Sequence, residues 1–448
     1  MTFRGLLGRA TLAAFALAAF ALAACSPRPP DGSVAPTPAR AAPRGPGAPA
    51  EAPDPPGAPA PAPAPAPGAP AAARVENVVL ITVDSLRADQ PWTTRPVAST
   101  PALNALAAKS TIYTRAYAVS NLTTSSLSAM LAGRYPSELP HTRCKLSAYK
   151  IGADALAPFL RAAGVATLAG LGHTAFVRRL VPADGFEQWR LIENARAKIT
   201  EGAVTGEAIG ALFRSLITKQ APRGRFFAWT HLLDPHEAYV RHAGFPPTSG
   251  DARGRYDGEV AYTDHVIAGV LDAIAASGLA ERTAVIISSD HGEAFGEHGV
   301  RWHGLSTYEE EIRVPLIVYV PGRPPGRVDV PRSTLDIGPT VADLLGLAPP
   351  ASWRGTSLLA DLGAPSPAAR PVIVDLPPLE SRAAAKAVIL GDRKVVFGGR
   401  GAARVYDLAR DPGERSPLDG PEAERAIDEA RAALAPLTEA PTTPCGGR

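Results

Sequence analysis

Four stretches of the chain are dominated by apolar and β-branched residues with little polar alternation: 77–83, 226–233, 283–288 and 315–320. Such runs suit strands buried on both faces, and so a parallel sheet. Between them the apolar positions take helical spacing, at 153–163 stopped by Gly164, at 260–277 stopped by Gly278, and at 336–345,. This alternation predicts an α/β fold: a doubly wound, mainly parallel sheet flanked by helices. Past residue 365 the pattern shortens to strands at 371–375, 387–390, 394–397 and 404–408, separated by turn residues. That predicts a small antiparallel C-terminal sheet, so the folded chain divides into 74–365 and 366–448.

The N-terminus follows neither pattern. Arg4 and Arg9 precede an apolar run from residue 10 to 24, which ends in Leu22-Ala23-Ala24-Cys25. The run is shorter than the ~20 residues that cross a bilayer core, so a signal peptide over 1–25 with a lipobox-like end fits better than a transmembrane anchor. The pattern resembles bacterial lipoproteins, which implies acylation of Cys25, and Ser26 after it implies the outer membrane, facing the periplasm or the surface. Residues 26–73 hold 17 prolines in 48 positions and bury too little apolar surface to fold. They read as a disordered tether reaching up to roughly 150 Å at ~3.1 Å per residue.

Lys and Arg number 46 against 43 Asp and Glu, a formal charge of only +3. No long-range field advertises a nucleic-acid partner. An exported chain keeps Cys144 and Cys445 where a disulfide persists. Such a bond and two unpaired thiols both remain compatible with the sequence.

Candidate chemistry gathers at strand ends. Strand 77–83 runs into Asp84, and 283–288 into Ser289-Asp290-His291-Gly292-Glu293. Both carboxylates therefore lie at the carboxyl edge of a parallel sheet, where open α/β sheets bind ligands. Neighbouring strand residues face opposite ways, but Gly292 lets the chain turn so that Asp290 and His291 converge. With Asp84 they make a plausible divalent-ion site, although Asp290 also fits a helix cap and His291 a surface residue. The stretch 121–133 opens with Thr123-Thr124-Ser125-Ser126 and stops at Gly133. Hydroxyls and unpaired backbone N–H groups meet at such a helix start, which is suited to an anion, and a metal held beside it would turn a Thr or Ser into a nucleophile.

Taken together and in this order, these segments resemble the sulfatase-type branch of the alkaline phosphatase superfamily over roughly residues 75–415. The resemblance rests on 77–89, on 123–136 ending Gly133-Arg134-Tyr135-Pro136, on Asp234-Pro235-His236, on DHGEAFGEHG at 290–299, on YEEEIRVPLI at 308–317, and on Val405-Tyr406-Asp407-Leu408 with Asp411-Pro412-Gly413-Glu414. It implies that Asp84, Asp290 and His291 bind the metal. It also places Thr123 at the nucleophile position, His236 as the anion-binding or leaving-group histidine, and His303 near the place of an anion-contacting Lys. His231 and Arg87 are carried as substrate-binding candidates, Arg87 with the alternative of an ion pair to Asp89.

The chain departs from the family in three ways. Sulfatases proper carry Cys or Ser in a C-x-P-x-R-like motif and oxidise it to formylglycine; here the run is Thr-Thr-Ser-Ser-Leu, so no formylglycine is expected. Cys144 is followed by Lys145-Leu146-Ser147-Ala148 and does not fit that motif. Ser85 stands where many sulfatases hold a carboxylate, implying one ligand fewer or water in its place.

The resemblance thus implies a catalytic domain over 74–365 using one divalent ion, with Zn²⁺ or Mn²⁺ slightly preferred over Ca²⁺ by the mixed donors. The implied partner is a sulfated or phosphorylated glycan, lipid or small-molecule ester. Two other readings accompany hydrolysis: a phosphoglycerol or phosphoethanolamine transferase acting on envelope polymers, suggested by the Thr nucleophile, and a degenerate member that binds an anionic glycan without cleaving it.

Overall fold

The central sheet is organised around a strand that never meets water. In a computed structural model, which describes residues 75–89, 99–193, 205–398 and 402–446, strand β1 (Asn77–Val83) is buried at every position. The remaining strands of that sheet are β2 (Thr111–Tyr117), β3 (Ala166–Leu171), β4 (Gln188–Leu191), β5 (Phe226–Leu232), β6 (Thr283–Ser289), β7 (Arg313–Tyr319) and β8 (Gly326–Val328). Their order across the sheet is β8-β2-β7-β6-β1-β5-β3-β4, with the short strand Arg332–Ser333 alongside β2. β1 pairs in parallel with β5 and β6, while β7 runs antiparallel to β6 and β2. A continuous apolar run such as β7 reports burial on both faces and carries no information on direction. Cys25 and the tether at 26–73 lie outside the described residues.

Seven helices matter to the architecture: α1 (Pro101–Ala107), α2 (Thr123–Ala132), α3 (Leu156–Ala162), α4 (Gly206–Gln220), α5 (Ala252–Ala276), α6 (Ile337–Leu344) and α7 (Pro421–Leu434). Two cores form, one on each face of the sheet. Val78, Leu80, Ile286 and Leu316 pack with Met130, Leu156 and Val341, whereas Val79, Ile81 and Ile287 pack with Ile209, Phe213, Val266 and Val270. Successive residues of β1 thus serve opposite layers, which is why the strand shows no polar alternation. Each such side chain withdrawn from water contributes about 1.5–3 kcal/mol before entropy is counted.

α5 starts at Ala252 rather than at residue 260 because Asp251 caps it, its Oδ1 accepting the Gly254 N–H at 2.8 Å,. β3 escaped the sequence reading because Ala-Thr-Leu-Ala-Gly-Leu is poor in strand-forming residues,. Its Gly170 is there for α4: a Cβ would sit 3.3 Å from the backbone of Phe213.

The C-terminal sheet is antiparallel, in the order β9 (Val372–Leu376), β10 (Ala385–Leu390), β11 (Arg393–Gly398), β12 (Arg404–Asp407). One face packs Val388, Val395 and Val405 against Ala423, Ala426 and Ala430 of α7 and against Val119 and Leu335. The other packs Val374, Leu376 and Ala387 against Tyr117 and Ile312. α7, rich in Ala and charge, was not anticipated. Cys144 and Cys445 are joined by a disulfide with a Cα–Cα distance of 5.1 Å, and beside it Thr442–Thr443 pairs with His141–Thr142. Among the described residues no helix is long and apolar enough to cross a membrane.

Candidate active site

Register brings the first two functional residues together. Val83 on β1 lies opposite Ser289 on the parallel neighbour β6, so the residues that follow, Asp84 and Asp290, leave adjacent strand ends side by side. Ser289 fastens the junction: its Oγ lies 2.6 and 2.7 Å from the Val83 and His291 carbonyls, its one hydrogen serving either, and accepts from Leu86 N–H at 2.9 Å,. Ser85 then adopts a left-handed φ of 58°, uncommon for a residue with a Cβ, and its N–H reaches Asp290 Oδ1 at 3.3 Å. Gly292 is required by contact, since a Cβ there would meet the Glu310 carbonyl oxygen at 2.1 Å. The loop following β6 forms no helix, and His291 is fully buried. The helix-cap and surface readings of this pair therefore do not apply.

His291 Nδ1 lies 3.0 Å from the Gly292 carbonyl. A carbonyl only accepts, so Nδ1 carries the hydrogen and, in the neutral ring, Nε2 presents its lone pair. That Nε2 is 3.6 Å from Asp84 Oδ1 and 3.4 Å from Asp290 Oδ2. Thr123, the first residue of α2, completes the group: its Oγ1 is 3.4 Å from Asp84 Oδ2 and 3.2 Å from His291 Nε2. The hydroxyl thus sits at a helix N-terminus whose leading N–H groups lack helical partners.

Further imidazoles ring the cluster. His236 Nδ1 donates to the Glu237 carbonyl at 2.8 Å, which leaves Nε2 for other work. Its ring lies 5.0 Å from that of His303, itself 4.2 Å from His291. His303 Nδ1 is 3.2 Å from Glu293 Oε1.

Two assignments are corrected. His231 is not a substrate contact: it is fully buried, with Nδ1 2.9 Å from the Thr82 hydroxyl and Nε2 3.2 Å from Asp84 Oδ2. Because the carboxylate only accepts, His231 holds Asp84 from behind. Arg87 is likewise spoken for, pairing with Asp89 at 2.9 Å and Glu297 at 3.0 Å and donating to the Glu293 carbonyl. It braces the 293–297 loop against the strand end, as the ion-pair alternative has it, and its side chain lines a cavity with Glu297 and Arg313.

Electrostatics fit these donors to a cation. Burial opposes charge on Asp84, yet His236 and the His231 hydrogen bond hold its carboxyl well below the usual carboxylate range. Asp290 goes the other way, pushed well up by burial and by the Asp84 charge beside it. Its Oδ2 is buried without a hydrogen-bond partner, an expensive arrangement unless something else supplies positive charge. Burial and His303 lower His291 to about 3, so the ring is neutral. Asp84, Asp290 and His291 each offer a ligand atom within 4.8 Å of one another. Two carboxylate oxygens and a neutral imidazole form a donor set that suits a divalent ion.

Sequence reasoning missed two residues here. His173 follows β3, and its Nδ1 accepts from Ala175 N–H at 3.2 Å, while its ring lies 6.3 Å from that of His236. A His at a strand end was the available signal, lost because β3 itself was not recognised. Glu293 is fully buried, with burial lifting it to about 7; it sits inside the quoted DHGEAFGEHG segment without having been given a role.

Comparison with known proteins bears on this geometry. A family model described as Sulfatase matches residues 76–347. The choline-sulfatase of Rhizobium meliloti is 29% identical over 169 residues, covering 37% of this chain and 33% of that protein. An ulvan-active sulfatase of Formosa agariphila is 28% identical over 342 residues, covering 65% of this chain and 66% of that protein. The chain thus spans about a third of the first relative's length and two thirds of the second's. Among solved structures, a phosphonate monoester hydrolase from Silicibacter pomeroyi superimposes with a TM-score of 0.67 at 18% identity, covering 81% of this chain and 96% of that one. That likeness is one of fold.

Proposed function

The chain belongs to the sulfatase family, and on that premise we propose that it hydrolyses a sulfuric or phosphoric ester with Thr123 as nucleophile. The observation that carries the reading is the position of Thr123 Oγ1, at a helix start and within 3.2–3.4 Å of both His291 and Asp84. Bound by Asp84, Asp290 and His291, a divalent ion supplies positive charge for the ester oxygens and favours the ionised hydroxyl.

The chain's own residues do the rest. Thr123 Oγ1 gives its proton to solvent and forms a bond to sulfur or phosphorus as the bond to the departing oxygen breaks, and the N–H groups opening α2 face the negative oxygens of the transferred group. His236 is suited to protonate the departing oxygen. Burial by itself would lower its pKa, but Asp84, the Glu237 carbonyl and Glu293 hold it above the ordinary imidazole range. Water then releases the group from Thr123. Support for a polymeric substrate comes from the relative named as an ulvan-active sulfatase, and support for phosphorus chemistry from Thr123 standing where sulfatases use formylglycine.

The test is a panel of an aryl sulfate, a phosphate monoester, a phosphodiester and a phosphonate, run with and without an acceptor alcohol. Turnover of at least one ester to free sulfate or phosphate is expected, and His236→Gln should slow esters of poor leaving groups by about 10²–10³ while sparing activated aryl esters. Transfer to the alcohol with no hydrolysis would replace this reading by a transferase. No turnover on any ester with the ion bound would replace it by a binding protein.

The lipid on Cys25 and the tether belong to the same proposal, since they would hold the domain at the cell envelope beside such polymers. Cys25→Ser should move the protein from the membrane fraction to the soluble one; retention in the membrane fraction would rule the anchor out.

A further inference from the structure

We propose that Asp234, His242 and Glu259 form a second metal site, structural in role and suited to Zn²⁺, that ties the loop carrying His236 to helix α5. The inference is independent of the ester chemistry above. These residues come from two segments: Asp234 and His242 from the chain leaving β5, Glu259 from the start of the third turn of α5,. One ligand atom from each lies within 4.8 Å of the other two. Their side chains are 5%, 3% and 3% exposed, respectively.

Three polar atoms here lack hydrogen-bond partners although buried: Asp234 Oδ2, His242 Nε2 and Glu259 Oε2. Unsatisfied buried polar atoms are rare, and one on each of three neighbouring residues calls for a common partner. Nε2 of His242 is 3.7 Å from Asp234 Oδ1 and 3.5 Å from Glu259 Oε1. Those separations are too long for good hydrogen bonds. They are close to the edge of a ligand tetrahedron, about 3.4 Å when bonds to zinc are about 2.0–2.1 Å. One imidazole and two carboxylates are donor types that zinc accepts, and a water would complete the four-coordinate shell.

The surroundings hold the ligands in place. Tyr262 stacks on the His242 ring with centroids 3.7 Å apart. Val240 N–H donates to Glu259 Oε1 at 2.6 Å, leaving Oε2 free of that duty. Gly206 keeps the approach to Asp234 open, since a Cβ there would lie 3.1 Å from Asp234 Oδ2 and 2.9 Å from the Tyr262 ring. A bound cation would let both carboxylates stay ionised.

The experiment is elemental analysis of the full chain after equilibration with Zn²⁺ and removal of the excess. Wild type is expected to retain two equivalents, His242→Ala one, and Asp84→Asn/Asp290→Asn one. If His242→Ala fails to fold, the double Asn variant decides, because it leaves the second site intact. Replacing its single equivalent with Co²⁺ should then give the intense visible absorption of four-coordinate cobalt, and adding Glu259→Gln should abolish that absorption. No metal retained by the double Asn variant, or retention unaffected by Glu259→Gln, overturns the proposal and leaves a cluster of carboxyl groups sharing protons.

Discussion

Thr123→Ala is expected to lower kcat by at least about 10⁴ on any ester the wild type hydrolyses, in keeping with the loss of a covalent nucleophile. The bound metal should be unaffected. Thr123 Oγ1 lies beside Asp84 and His291, but the carboxylates and the imidazole supply the charge and donors that hold the ion. Stability should change little, because the substitution removes a small side chain from a first helical turn where alanine is well tolerated. Thr123→Ser separates the roles further: it keeps the hydroxyl and should restore most of the rate. Wild-type rates for Thr123→Ala, measured under single-turnover conditions, would remove the residue from the mechanism.

The second large effect is that of Asp290→Asn. Asp290 Oδ1 is committed to the N–H groups of Ser85 and His291, so Oδ2 is the atom left for a cation. An amide replaces that anionic donor with a neutral group, one orientation of which presents N–H groups to the ion. Loss of one metal equivalent is expected, with kcat/KM falling by about 10³ or more, as befits removal of several kcal/mol of charge stabilisation. Stability should move the opposite way. The Asp290 pKa is raised in the fold by burial and by Asp84, so above its unfolded value the ionised carboxylate opposes folding unless a cation is present. In chelator at neutral pH, Asp290→Asn should therefore unfold at a temperature no lower than wild type, whereas wild type should gain from added metal, by about 2.7 kcal/mol when free metal is a hundredfold above its Kd. A lower midpoint for the variant in chelator would contradict this electrostatic picture.

How much of this could be seen in the sequence depended on what each residue answers to. β1, β5, β6 and β7 were legible because strands buried on both faces must be apolar throughout, whichever neighbours they have. β3 was not, because its Ala and Gly residues serve the approach of α4. Asp84, Asp290 and His291 were placed together because they follow two buried strands, and parallel strands end at the same edge. Thr123 depended on family resemblance, since a hydroxyl at a helix start is an ordinary cap until something faces it. The role of His231 was misjudged, and that of Arg87 left between a substrate contact and a pair with Asp89, because spacing does not show what stands behind a residue. His231 is filled on both ring nitrogens by Thr82 and Asp84, and Arg87 by Asp89 and Glu297. The cluster of Asp234, His242 and Glu259 could not be read at all, because its members come together only when α5 packs on the loop leaving β5.

The central claim is that one ion binds between Asp84, Asp290 and His291 with Thr123 at its side. Anomalous diffraction from crystals of the Mn²⁺-loaded protein, recorded above and below the manganese absorption edge, addresses it directly. The account predicts a peak within bonding distance of those three ligands and adjacent to Thr123 Oγ1. An empty position there, in crystals whose protein hydrolyses esters only when metal is supplied, would contradict it.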